Sequence, residues 1–153
     1  MADSPLLLNA LESLEHALDH YLLNTPRDRK FAILHADQAV ELILKEKVRS
    51  MGVSIYRKDG KTSIGLQESR DMLTKKQVAI PEINNLEMLH DERNKIQHLN
   101  SSPDAKLTDF YIEQAVKFMM RFLTQDLGLD LNKILTATSY ARFETFIIAN
   151  ANP

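Results

Sequence analysis

Apolar residues recur at spacings of three and four along most of the chain, the pattern of amphipathic helices. Leu7, Leu11, Leu14, Leu18 and Tyr21 form the first such stripe. Ser4-Pro5 stands before it, a serine placed to cap and a proline whose missing amide is harmless at a first helical position. The spacing predicts a helix from about Pro5 to Leu23. Thr25-Pro26 repeats the start signal for a second helix, which continues through Phe31, Leu34, Ala36, Ala39, Val40, Ile43, Leu44 and Val48 to a stop at Gly52. These apolar positions cover most of the circumference, so this is the expected central helix. His35, Asp37, Gln38 and Glu41 interrupt its apolar wall.

Between Val53 and Ile64 the helical period is lost. Asp59-Gly60 separates two short β-prone runs, which predicts a small β-hairpin at about residues 53–64. Leu66 to Lys76 reads as a short helix, and Pro81 starts another through Ile83, Leu86, Leu89 and Ile96 to about Leu99. Asn100 to Asp104 is a turn cluster, after which Thr108 is the expected cap of a helix through Tyr111, Ile112, Ala115, Phe118, Met119 and Phe122 to Gly128. A last helix covers roughly Leu131 to Ala149. The expected fold is all-α, an antiparallel bundle of four to five main helices with one hairpin insertion, and residues 1–153 make a single domain.

Composition narrows the chemistry. A chain of 153 residues with no cysteine has no thiol nucleophile, disulfide or cysteine-ligated zinc. Met1-Ala2-Asp3-Ser4 is acidic, and no apolar run approaches the roughly 18 residues of a membrane span. A cytoplasmic protein without membrane contact is expected. The net charge of −2 argues against binding nucleic acid by bulk charge. It is unevenly spread, however. Residues 45–76 hold nine basic groups against four acids, a balance of +5, which leaves −7 for the remainder. Arg57, Lys58 and Lys61 lie at the hairpin within this basic segment and are candidate RNA-binding residues, or simply a solvated face.

The segment from Leu89 to His98 carries the most chemistry. On a helical wheel Leu86, Leu89, Arg93 and Ile96 share an arc of about 80°, which puts Arg93 inside the apolar stripe. A guanidinium cannot be neutralised, so at such a position it is paired with a buried carboxylate or lines an opening. Asn94 and His98 are four apart and share a face, where the amide could orient the imidazole. His90, Asn94 and Gln97 lie on the arc between Arg93 and His98. Arginine, asparagine and histidine together suit phosphodiester chemistry: charge stabilisation, orientation and proton transfer. The residues alone equally allow a surface histidine near a helix end with Arg93 in a structural salt bridge to Glu41 or Asp37.

Arg93-Asn94-Lys95-Ile96-Gln97-His98 resembles the Arg-polar-x-x-x-His motif of HEPN domains. The order of elements is similar too: a leading amphipathic helix, a buried second helix reading His35-Ala36-Asp37-Gln38-Ala39-Val40-Glu41-Leu42, the motif helix and a closing helix, over residues 5–128. The segment after Gly52 is similar to an uncharacterised bacterial HEPN-like subgroup. The resemblance implies a homodimer whose motif helices share one cleft. It also implies metal-independent, cofactor-free endoribonuclease activity, with 2′-hydroxyl attack leaving a 2′,3′-cyclic phosphate. His98 would then be the acid/base, Arg93 the phosphate ligand and Asn94 the positioning group, with Glu41, Asp37, His90 and Gln97 in support. Such proteins act in toxin–antitoxin, abortive-infection or other anti-phage systems, which implies an antitoxin or regulatory partner. Members modified by a nucleotidyltransferase carry a tyrosine two places after the histidine, where this chain has Asn100. The alternative is a non-catalytic HEPN-like module that binds RNA or nucleotides or only dimerises.

Weaker signals point to structure. His16 and His20, with Glu12 one turn earlier, have zinc-compatible spacing but fall opposite Leu11, Leu14 and Leu18, on the expected solvent face. Met119 and Met120 read as core filler. No glycine-rich phosphate loop, Gly-x-Ser-x-Gly elbow or His-Glu-x-x-His helix is present.

Overall fold

A computed structural model describes residues 4–151; the acidic opening read at residues 1–3 lies outside them. Seven α-helices make up the described chain: α1 (Pro5–Leu23), α2 (Pro26–Ser50), α3 (Leu66–Lys75), α4 (Ile83–Leu99), α5 (Ala105–Arg121), α6 (Leu131–Ile134) and α7 (Ala137–Ala151). A π-helical turn, Phe122–Asp126, extends α5. No described helix is long and apolar enough to cross a membrane.

Helix α2 is the axis of the fold, in contact with α1, α3, α4 and α5. Its Ala32, Ile33, Ala36, Ala39, Val40, Ile43 and Leu44 are completely buried. Alanines alternating with larger residues let neighbouring helices approach closely on several sides at once. Only Asn24 and Thr25 separate α1 from α2, so the two pack as an antiparallel hairpin. One continuous core joins Leu7, Leu14 and Leu18 of α1 to Phe118 of α5 and Phe143 of α7.

Several ends differ from expectation for identifiable reasons. Ser4 does occupy the cap position of α1, yet its hydroxyl makes no capping bond and donates instead to Glu46 Oε2 at 2.6 Å. Pro81 stands ahead of α4, with Glu82 at the cap. The cap of α5 is Asp104, whose carboxylate accepts the Leu107 amide at 2.7 Å. Thr108 is buried inside the helix and donates to the Asp104 carbonyl at 2.8 Å. The last predicted helix is broken at Leu135-Thr136, where Thr136 accepts the Ser139 amide at 3.1 Å and starts α7.

The hairpin insertion is corrected to a turn. Asp59-Gly60 does reverse the chain, with Gly60 at φ +70° and Asp59 accepting the Lys61 and Thr62 amides at 2.8 Å. Pairing then stops at a single antiparallel bridge, Tyr56 to Ser63, and no strand forms among the described residues. Ile64 is the only fully buried residue of the segment, while Tyr56 is 54% exposed. Val53 and Ile55 pack against the core, but two short strands without a third are marginal as a ladder.

Candidate functional site

Asp37 organises the site. It sits on α2 at 1% exposure, a depth at which a carboxylate requires partners. His90 and Arg93, three residues apart on α4 and so on one face, supply them. His90 Nδ1 is 3.1 Å from both carboxylate oxygens, and Arg93 Nε is 3.7 Å from Oδ2. The hydrogen bond to Asp37 holds the His90 imidazole above its ordinary value, with Glu41 adding to the effect, against burial and the neighbouring Arg93. Arg93 also donates from Nη1 to Asn94 Oδ1 at 2.9 Å. Held from two sides, its guanidinium still reaches the surface, the side chain being 31% exposed.

That exposed part faces a groove of about 520 Å³ between α2 and α4. Phe31, His35, Gln38, Glu41 and Lys45 line it from α2, and Arg93 and Gln97 from α4. Glu41 and Lys45 are paired at 2.9 Å, one helical turn apart. Lys45 is buried to 8% side-chain exposure and donates to Ser63 Oγ at 3.2 Å, which fastens the Asp59 turn to this end of the groove. On the α1 side, His35 stacks on His20 (centroids 5.6 Å apart, planes within 3°) and meets His16 at 5.4 Å. Burial, reinforced by the two imidazoles, holds His35 below its ordinary value.

No family model, curated protein or solved structure matches this chain. The site therefore rests on its own geometry.

That geometry gathers part of the expected set. Asp37, His90, Arg93 and Asn94 form one connected cluster, and Gln97 shares the groove with Arg93. The bond from Asn94 goes to Arg93, and His98 makes no side-chain hydrogen bond among the described residues. His98 is exposed on the last turn of α4, which Asn100 ends at φ 51°. Asparagine is among the residues that most readily adopt that left-handed conformation. Of the two carboxylates proposed for Arg93, Asp37 is the partner, because Lys45 holds Glu41.

Two expectations change more. His16 is exposed as expected, but His20 is half-buried, and both rings lie against His35. The basic segment is also less free than its composition suggests. Arg57 is paired with Glu68, Arg49 with Glu46 and Arg70 with Glu87, and Lys47 donates to the Asp126 carbonyl at 2.7 Å. Lys58 and Lys61 remain exposed at the turn. Lys45 went unnoticed as a site residue; its signal was the i, i+4 spacing from Glu41.

Proposed function

We propose that this chain is a HEPN-like, metal-independent endoribonuclease that works as a homodimer, with Arg93, Asn94 and His98 acting on the RNA phosphodiester. The observation that carries the reading is the anchoring of Arg93: two side chains orient a guanidinium that stays open to a polar groove. A fixed cation at such a place can bind a phosphate and stabilise the added negative charge of a phosphorane. The imidazole of His98, exposed one turn beyond Asn94, is free to exchange protons with substrate.

The balanced step follows. A base accepts the proton of the 2′-hydroxyl, the 2′-oxygen bonds to phosphorus, and the bond from phosphorus to the 5′-oxygen breaks as an acid returns a proton to that oxygen. One imidazole must change roles during the step, whereas two copies would supply an acid and a base together. Exposed Met88 and Leu99 beside the motif (48% and 76%) give α4 an apolar margin for a second copy. A role in toxin–antitoxin or anti-phage defence, with an antitoxin or regulatory partner over this face, belongs to the same proposal.

The test is RNA cleavage in EDTA, with products examined for a 2′,3′-cyclic phosphate. His98→Ala is expected to slow cleavage by about 10²–10⁴-fold, the range for losing a general acid or base, with thermal unfolding unchanged. Cleavage by the variant at the wild-type rate would remove His98 from the site. A second reading, a non-catalytic RNA-binding or nucleotide-binding module, draws on His98 having no side-chain bond to orient it among the described residues. RNA binding without cleavage by the unaltered protein would favour it.

A further inference from the structure

The α1 side of the groove contains a feature that phosphodiester cleavage leaves unused. His16 and His20, one turn apart on α1, and His35 on α2 pack their imidazoles together, and His20 continues onto the Phe31 ring at 5.2 Å. Of the three histidines in this stack, His35 also lines the groove, as does Phe31. His35 is half-buried, and no hydrogen bond engages its ring nitrogens among the described residues. It lies parallel to His20 and tilted by 36° to His16, and no group of three such side chains among the described residues is arranged to hold a metal ion.

The charged groups around His35 define what that ligand would be. On α1 stand His16 and His20, the latter held through Nδ1 to Asp28 at 2.8 Å. On α2, Glu41 is already paired with Lys45, and Asp37 with His90 and Arg93. Arg27 stacks over Phe31 at 5.5 Å, and Arg93 faces the groove from α4. The acids are thus engaged, while Arg93 and an unpartnered imidazole share one opening. A cation on His35 lacks a counter-charge, and burial with two imidazole neighbours keeps the free ring neutral. An anion in the groove would reverse that balance.

We infer that His35, backed by His16 and His20, receives an RNA phosphate in the groove and takes up a proton as it does so, making RNA binding tighter as the pH falls. Naming RNA as the ligand rests on the proposed function; the proton uptake rests on the stack and the groove. Linkage sets the size of the effect: one proton taken up on binding tightens the dissociation constant by at most about tenfold per pH unit.

The experiment uses an oligonucleotide fully methylated at its 2′-hydroxyls, which can bind but cannot be cut by 2′-hydroxyl attack. Its affinity is measured by fluorescence anisotropy from about pH 8 to about pH 5.5, the range where imidazoles titrate, at fixed ionic strength. The wild-type affinity should rise several-fold per unit over part of that range, and His35→Gln, with folding checked by circular dichroism, should flatten the rise. Independently of any variant, the NMR titration midpoint of His35 in the unaltered protein should move up when the oligonucleotide is added. An unchanged midpoint, an unaltered pH slope in His35→Gln, or no binding at any pH overturns the inference. An equal shift with inorganic phosphate at the same concentration overturns its RNA component. Failure of the ribonuclease reading is separable: proton-linked binding of an RNA that is never cut leaves the inference standing, and cleavage with pH-independent binding does the reverse.

Discussion

The two banks of the groove treat histidine in opposite ways: His35 on α2 lines it, and His90 on α4 stands outside the lining, against Asp37. On the α4 bank His90 faces a buried carboxylate, which favours its cation; on the α2 bank His35 faces two imidazoles of α1, which disfavour it. The residue type is the same and both rings are partly buried. What differs is the neighbour supplied by another helix: Asp37 from α2 in the first case, His16 and His20 from α1 in the second. A histidine's chemistry here is a tertiary property, set by which helices meet.

The largest test of this contrast removes the carboxylate. Asp37→Ala leaves His90 and Arg93 facing a cavity without their anion, and should cost about 2–3 kcal/mol in urea unfolding. Arg93 is close to one-third exposed, so water recovers part of its loss and the upper end of the buried-pair range is not reached. His35→Ala on the other bank removes only ring packing and should cost about 1 kcal/mol. Equal losses would show that Asp37 does not organise its bank.

A smaller effect, with a sharper signature, is the dependence of stability on pH. His90 is raised above its ordinary 6.5. Its stabilising contribution is fully present below that value and is lost as the pH rises through the higher folded-state value. His35 is lowered from 6.5, so its unfolded form gains protons first: its penalty is absent above that pH, grows as the pH falls toward the folded-state value and is complete below it. Unfolding measured from about pH 5 to about pH 8 should therefore show His90→Gln losing most stability at the acidic end, and His35→Gln gaining there relative to the parent. If both variants shifted the profile in the same direction, the two banks would not be electrostatic opposites.

These contrasts also mark how far the sequence could be read. Helix α1 was legible to its ends because Ser4-Pro5 and Thr25-Pro26 are local signals. The use made of Ser4 was not, because Glu46 is 42 residues away. At the start of α5 the expected cap was Thr108, and the helix begins one turn earlier, at Asp104 of the turn cluster. Within the site, helical spacing put Arg93 inside the apolar stripe, but Asp37 and Glu41 stood one turn apart on α2 with equal claims on it. Lys45, one turn further along, decided the matter by taking Glu41. The histidine stack was hidden for a similar reason: a wheel drawn for α1 alone assigns His16 and His20 to water, and only the packing of α2 brings His35 against them.

The smallest predicted effect separates the groove from the basic turn beside it. If RNA reaches the groove across residues 57–61, cations there contribute to binding only where no carboxylate already holds them. Arg57 is paired with Glu68, whereas Lys61 is exposed and only its backbone amide is engaged, by Asp59. Each phosphate contact on a single strand contributes about 0.7 to the slope of log affinity against log salt. Lys61→Ala should therefore flatten that slope by about 0.7 for the methylated oligonucleotide, and Arg57→Ala by less. Neither should move unfolding by more than about 0.5 kcal/mol, since both side chains lie at the surface. A larger flattening from Arg57→Ala would mean that RNA displaces Glu68, making the ion pair a gate at the turn. Equal insensitivity of both variants would instead confine RNA contact to the groove and its two banks.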